Sequence, residues 1–317
     1  MIVFEILMTD SLISAPAVDS SIIGVSCAGY ETTVIIPEMK ISFDFGRYLP
    51  QLHGCHIHCI THGHTDHIAD LPKFCRIHEL VCGSGKKHTV LCPEIIAEPL
   101  KEVLSKYHQM DTGELRPNPH EKWLEIHPVT EGTCFTVKNY SIRAFRTDHR
   151  VPSLGYCVYT KKSILKKELL GLPSKEIARL KHEGHQICDE TVVCAVAFTG
   201  DTTIEGIIRH PDMLQAKVLI MECTYLEPET VKLAHERTHV HLSDIVTHAD
   251  KFKNKRIILI HFSDRYITRE IIKCIADSAL PDDFKSRISI MPNDCGEDTS
   301  TSSTPSAVAT PFTASAE

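Results

Sequence analysis

Within the 317 residues, one segment concentrates groups that bind cations: His62-x-His64-x-Asp66-His67. In extended backbone, residues two apart face the same side, so His62 and His64 can share one ion. Asp66 and His67 follow at the turn into an expected helix and can face a second ion. Imidazole and carboxylate are zinc-type donors, and mixed nitrogen and oxygen sites keep a position open for water. Four clustered residues cannot complete two sites. Further ligands must come from elsewhere, and His149 (TDHR), Asp201 (TGDT) and His261 (IHFS) each follow a short apolar run. A carboxylate has two oxygens, so Asp201 can bridge two ions about 3.5–4 Å apart. The other histidines, among them His53, His58, His78, His88, His108 and His120, show no converging spacing and are expected as ordinary surface or core residues.

These groups need elements to position them. HIHCI, SIRAFRT, VVCAVAF, KVLIME and RIILI read as short strands, each ending at or just before a histidine or carboxylate, which places the candidates at one rim of the sheets. TTVIIP and KISFDFG read as a hairpin ending near Asp44. Helices are expected from Pro99 in a first turn, with Leu100, Val103, Leu104 and Tyr107 on one face, from Ser243 as a cap, and from Thr268 as a cap. No Gly-rich phosphate loop follows the first strand, which excludes a Rossmann reading and leaves α/β or α+β.

Residues 1–20 are expected to be a loosely held extension, 21–295 one domain, and the Ser/Thr-rich 296–317 a disordered tail. Composition is globular, 42% hydrophobic and 24% charged, with a net charge of -7. That excludes an overall basic coat, though not a local basic patch. No apolar run reaches the roughly 20 residues of a membrane span. The 13 cysteines are odd in number and never spaced C-x-x-C, which fits reduced thiols inside a cell.

The segment THGHTDHIADLP resembles the signature of the metallo-β-lactamase superfamily. GYETTVIIP, FDFGR, DH…GYCVY, GLPSKEIARLKHEG, AFTGDTT, VLIMECTYL, HVHLSDIV and LIHFSDRY together resemble ribonuclease Z (tRNase Z) in its short plant-like form, over roughly residues 22–292. The resemblance implies an αβ/βα sandwich of two facing mixed β-sheets with helices outside. It assigns His62, His64 and His149 to one zinc, Asp66, His67 and His261 to the other, and Asp201 to both. Asp44 would support the site by hydrogen bonding, and Asp66, Glu222 and His239 would be catalytic. This chain has Ala69-Asp70 where relatives carry a small glycine. It also reads His239-Val240-His241 where one histidine is expected; His239 is preferred from the following helix, with His241 the alternative.

Two zinc ions sharing an activated water suit attack on a phosphodiester. The leaving oxygen still needs a proton, and a carboxylate orienting an imidazole, Glu222 and His239, can supply it. Between His149 and Asp201 lies a basic stretch with Lys161, Lys162, Lys166, Lys167, Lys175, Arg179 and Lys181. It is either a phosphate-backbone footprint or a solvated helix whose Ile164, Leu165, Leu169 and Leu170 pack on the body. The resemblance makes residues 161–185 an exosite arm for precursor tRNA and implies a homodimer with no membrane partner. The leading function is therefore a tRNA 3′-processing endoribonuclease. The competing readings are a two-zinc hydrolase of a small phosphodiester or thioester, and a non-catalytic RNA-binding relative. Cytoplasm or nucleus is the expected compartment; no Arg-rich, acid-poor presequence speaks for an organelle.

Overall fold

The computed structural model describes residues 22–82, 85–116, 119–137 and 140–291, without the side chains of 162–164. The expected N-terminal extension and Ser/Thr-rich tail lie outside the described residues.

The chain forms two mixed sheets from two consecutive stretches. The first runs β1 (Ile23–Cys27), β2 (Glu31–Ile36), β3 (Ile41–Phe43), β4 (Ile57–Cys59), β5 (His88–Pro93) and β6 (Leu124–Val129), in that spatial order. Its first three strands are antiparallel, the expected hairpin included, and β3 to β6 are parallel. The second sheet holds β7 (Cys134–Val137), β8 (Tyr140–Thr147), β9 (Ser153–Leu165), β10 (Cys188–Phe198), β11 (Val218–Glu222), β12 (Arg256–Ile260) and β13 (Ile288–Ile290), also in sequence order. Here β7 to β10 are antiparallel and β10 to β13 parallel. Parallel strands end together, which is how the groups that follow β3, β4, β10, β11 and β12 come to one rim.

Alternation along the strands divides the apolar residues into three layers. Phe43, Cys59, Leu91, Tyr156, Phe198, Ile220 and Ile258 fill the space between the sheets, where Phe43 and Phe198 stack with centroids 4.5 Å apart. Phe45, Val90 and Trp123 face outward on the first sheet and meet Phe74 of α2 (Leu71–Val81) and Leu100 and Leu104 of α3 (Glu94–Thr112). The outer face of the second sheet is covered by helices that include α5 (Ile204–Ile208), α8 (Leu242–Thr247) and α9 (Thr268–Asp277).

Three expected helix starts move. Pro99 lies inside α3, not in its first turn; the buried stripe of Ala97, Leu100 and Leu104 begins before the proline and carries the helix through the missing N–H. Val103 and Tyr107 are exposed. The cap of α8 is His241 rather than Ser243, its ring accepting the Ser243 N–H at 3.0 Å. Thr268 is the first residue of α9, preceded by Ile267 as cap.

Residues 161–192 form a projecting element. The far ends of β9 and β10 pair from Lys161 to Leu165 and from Cys188 to Val192, and α4 (Ser174–His182), in which no residue is buried, lies between them in sequence. Leu170 is 64% exposed, while Leu165 and Leu169 are half-buried and the Ile164 side chain lies outside the described residues.

Candidate functional site

At the rim, β3 delivers Asp44, β4 leads into Thr61 and His62, and the single turn α1 (Thr65–Ile68) carries Asp66 and His67. From the second sheet come Asp148-His149 after β8, Asp201 after β10, Glu222 at the end of β11 and His261 after β12. Gly46 allows the close approach of α1: a Cβ there would sit 1.8 Å from the Asp66 carbonyl oxygen. Among the described residues, three of the four non-glycine residues with positive φ are in this region, Asp44 at 59°, Thr238 at 59° and His261 at 61°. Such strain collects where a site over-determines the backbone.

All seven expected ligands converge, in two groups. His62, His64, His149 and Asp201 have donor atoms mutually within 4.8 Å, as do Asp66, His67 and His261. Asp201 spans them. Its Oδ2 lies 3.7 Å from His62 Nε2 and 3.8 Å from His149 Nε2. Its Oδ1 lies 3.3 Å from His67 Nε2 and 3.4 Å from His261 Nε2. Within the groups, His149 Nε2 is 3.2 Å from His64 Nδ1, and Asp66 Oδ2 is 3.3 Å from His261 Nε2 and 3.6 Å from His67 Nε2. A tetrahedron of donors about 2.05 Å from an ion has edges of ~3.3 Å. The donor spacing matches that edge.

The opposite ring nitrogens are held. The Thr61 hydroxyl donates to Asp44 and accepts from His62 Nδ1 at 3.0 Å. His67 Nδ1 donates to Asp44 Oδ2 at 2.8 Å, His149 Nδ1 to the Thr238 hydroxyl at 3.0 Å, and His261 Nδ1 to the Thr224 hydroxyl at 3.1 Å. Each bond fixes a tautomer with its Nε2 lone pair free for a cation. His62 Nε2 is buried with no hydrogen-bond partner. Burial, with neighbouring imidazoles, holds His62 well below the ordinary histidine range, and burial lowers His64 and His149 too. They are neutral, the form that ligates. Burial opposes the charge on Asp66 and Asp201, yet hydrogen bonding and attraction from His261 and His67 keep both ionised. His67 is raised well above the ordinary range, because Asp201 and Asp44 outweigh its burial; an ion would displace that proton. The donor set fits divalent metal.

Asp44 is fully buried and also accepts the Thr61 N–H at 2.7 Å; it holds two ligand-bearing segments without reaching the ion positions itself. Glu222, 0% exposed, accepts from Thr202 N–H at 2.6 Å, the Thr224 hydroxyl at 2.6 Å, Val240 N–H at 3.1 Å and His239 Nδ1 at 3.0 Å. Burial works against a proton on His239, but the charge and hydrogen bond of Glu222, with Asp201 behind, raise it to about 9. His239 also gathers with Asp201 and His261, their donor atoms mutually within 4.8 Å; what sets it apart is the buried Glu222 carboxylate on its Nδ1. His241 is instead tied to Ser243 at 2.7 Å and to the Glu227 carbonyl at 2.9 Å. Asp70, expected as a departure from the family pattern, accepts the Tyr48 N–H at 2.6 Å and belongs to neither donor group. Thr61, Thr202, Thr224 and Thr238 were not expected; the only sequence signal is their place beside a ligand or strand end.

A cleft of about 620 Å³ adjoins His149 and is lined by Arg146, Arg150 and Thr238 among others. On the projecting element, Lys161 pairs with Glu190 at 3.3 Å and Arg179 with Glu176. Among the described residues, Lys166, Lys167, Lys175 and Lys181 have no ion-pair partner. The Lys162 side chain lies outside the described residues.

The histidines expected to stand apart do not all do so. His53 and His78 gather with Cys82, and His108 and His120 with Glu79. Beyond the one-turn spacing of His78 and Cys82 on α2, packing between elements brings them together.

Two facing mixed sheets with a His/Asp cluster at their common rim form a metallo-β-lactamase-type sandwich with a candidate divalent-metal centre. No protein-family model matches the chain. It is 38% identical to tRNase Z TRZ1 of Arabidopsis thaliana over 84% of its length and 92% of that protein. It is 35% identical to the chloroplastic tRNase Z TRZ2 of the same plant, over 80% and 70%. Among solved structures, the short form of human tRNase Z is similar at a TM-score of 0.49 and 20% identity, over 83% of this chain and 93% of that one. The chain belongs to the tRNase Z family.

Proposed function

We propose that the chain is a zinc-dependent endoribonuclease that cuts the 3′ trailer from precursor tRNA and leaves a 3′-hydroxyl. The observation that carries this reading is Asp201, whose two oxygens face separate histidine groups beside the Glu222–His239 pair. Family membership supplies the substrate class.

In this reading His62, His64 and His149 hold one zinc ion, Asp66, His67 and His261 a second, and Asp201 both. Bound there, the ions would activate water and offset charge on the phosphodiester. Asp44 and Thr61 keep His67 and His62 in the ligating tautomer. The bond that breaks joins phosphorus to the tRNA's own 3′ oxygen, which must leave protonated. His239 holds that proton: Nδ1 is committed to Glu222, which leaves Nε2 to deliver it. Arg146 and Arg150 add positive charge beside the cleft, suited to the phosphates flanking the cut. The free lysines of the projecting element bind the tRNA backbone through phosphate contacts and shape. A homodimer places one subunit's arm on the tRNA cut by its partner. A cytoplasmic or nuclear location fits the free cysteines.

The test is to incubate the purified protein with a precursor tRNA and map the cut. A single cleavage at the trailer junction, absent in Asp201→Ala, supports the reading. Hydrolysis of a small phosphodiester with no action on the precursor would favour the small-substrate alternative.

A further inference from the structure

We propose that the chain has another metal site, formed by His53, His78 and Cys82 on the outer side of the first sheet, suited to a borderline or soft divalent ion such as Zn2+. His78 and Cys82 stand one helical turn apart at the end of α2, with Cys82 N–H bonded to the His78 carbonyl at 2.8 Å. His53 comes from the single turn Pro50–Gly54. The three offer donor atoms mutually within 4.8 Å.

The unpartnered ring nitrogen of His53 is the second observation. Its Nε2 lies 3.1 Å from the Tyr48 hydroxyl, while its Nδ1 is buried with no hydrogen-bond partner. Leaving a buried nitrogen unsatisfied is costly, and an ion on that lone pair would remove the penalty. Burial, with His78 and Lys86 nearby, keeps the ring neutral. Around it, Phe74 stacks on His53 at 4.9 Å and Trp123 on His78 at 4.1 Å, forming an apolar wall. Lys86, which donates to the His53 carbonyl, adds a positive charge that the Cys82 thiolate would offset. Two imidazoles and a thiolate match zinc-type coordination with one position left for water, and poorly suit Mg2+ or Ca2+. Bound there, an ion would pin the end of α2 to the 50–54 turn. None of the three residues takes part in the rim site.

Cobalt tests this directly, because the rim site contains only nitrogen and oxygen donors. Full-length protein stripped of metal and reloaded with Co2+ should show a thiolate-to-cobalt charge-transfer band in the near ultraviolet. Cys82→Ser and His53→Gln should each lose the band and one equivalent of metal, with RNA cleavage unchanged. No band in the wild type, or a band that persists in Cys82→Ser, overturns the proposal. Should the variants fail to fold, alkylation of Cys82 in the wild type decides: Zn2+ should slow it on the order of tenfold, and absence of protection overturns the site.

Discussion

Replacing Glu222 by Gln keeps the shape of the side chain and removes its charge. His239 rises from the ordinary 6.5 to about 9, equivalent to roughly 3 kcal/mol of preference for the charged ring. The pair is 0% and 12% exposed at the side chains, so solvent screens it little. Bound cations take up the charge of Asp201 and oppose that of His239, which makes about 9 an upper bound for the loaded enzyme. Glu222 is then the main support of the proton. Near pH 7.5, a ring titrating at about 9 is about 97% protonated, and one at 6.5 or below is roughly a tenth protonated or less. Activity that requires the acid form falls as pH rises through that value. Glu222→Gln should therefore move the alkaline limb of the rate profile down by at least about one pH unit and cost about tenfold or more near neutrality. A single amide oxygen cannot accept all four hydrogen bonds that Glu222 now receives, so the melting temperature should drop while metal content holds. The assay is single-turnover cleavage of precursor tRNA across pH, with metal content measured on the same samples. Combined with His239→Ala, the variant should lose little more than His239→Ala alone. An unmoved alkaline limb, or losses that multiply, would refute the coupling.

Asp201→Ala should abolish cleavage and reduce bound metal at both groups, read by mass-spectrometric metal analysis; retention of full metal would show that the carboxylate does not bridge. Asp44→Asn should weaken metal binding by about 10–100-fold while leaving the ligands in place, measured by competition with a chelator. Replacing residues 161–185 by a short neutral linker should abolish precursor-tRNA cleavage, flatten the salt dependence of residual RNA binding and spare any hydrolysis of a small phosphodiester. Equal loss of both activities would make the segment structural.

The convergence of the seven candidate donors was legible because strand ends and polar residues coincide in the chain. Apolar runs that stop at Asp201, Glu222 and His261 announce a rim, and H-x-H-x-D-H announces what gathers there. The threonines were not legible. Thr61 and Thr224 act by relaying hydrogen bonds between groups distant in sequence, and a lone threonine after a strand carries no mark of that. The choice between His239 and His241 was open for a similar reason: both precede the same helix, and only packing shows one ring on Glu222 and the other capping α8. Pro99 misled because a rule for helix starts lost to a buried stripe that begins earlier. His78 and Cys82 share a face one turn apart, but His53 meets them only through the docking of α2 beside the 50–54 turn, and spacing along the chain holds no record of that.

The two sheets come from successive stretches of chain, residues 23–129 and 134–290, and neither owns a complete set of donors. His62, His64, Asp66 and His67 emerge first during synthesis; His149, Asp201 and His261 follow, the last close to the end of the described chain. An ion captured early would meet a partial chelate, and full affinity arrives only when the second half has folded and docked against the first. The free energy of metal binding would then add to the cohesion between the halves. The candidate centre would thereby report on the integrity of the whole sandwich: halves that have not mated would leave its donors apart.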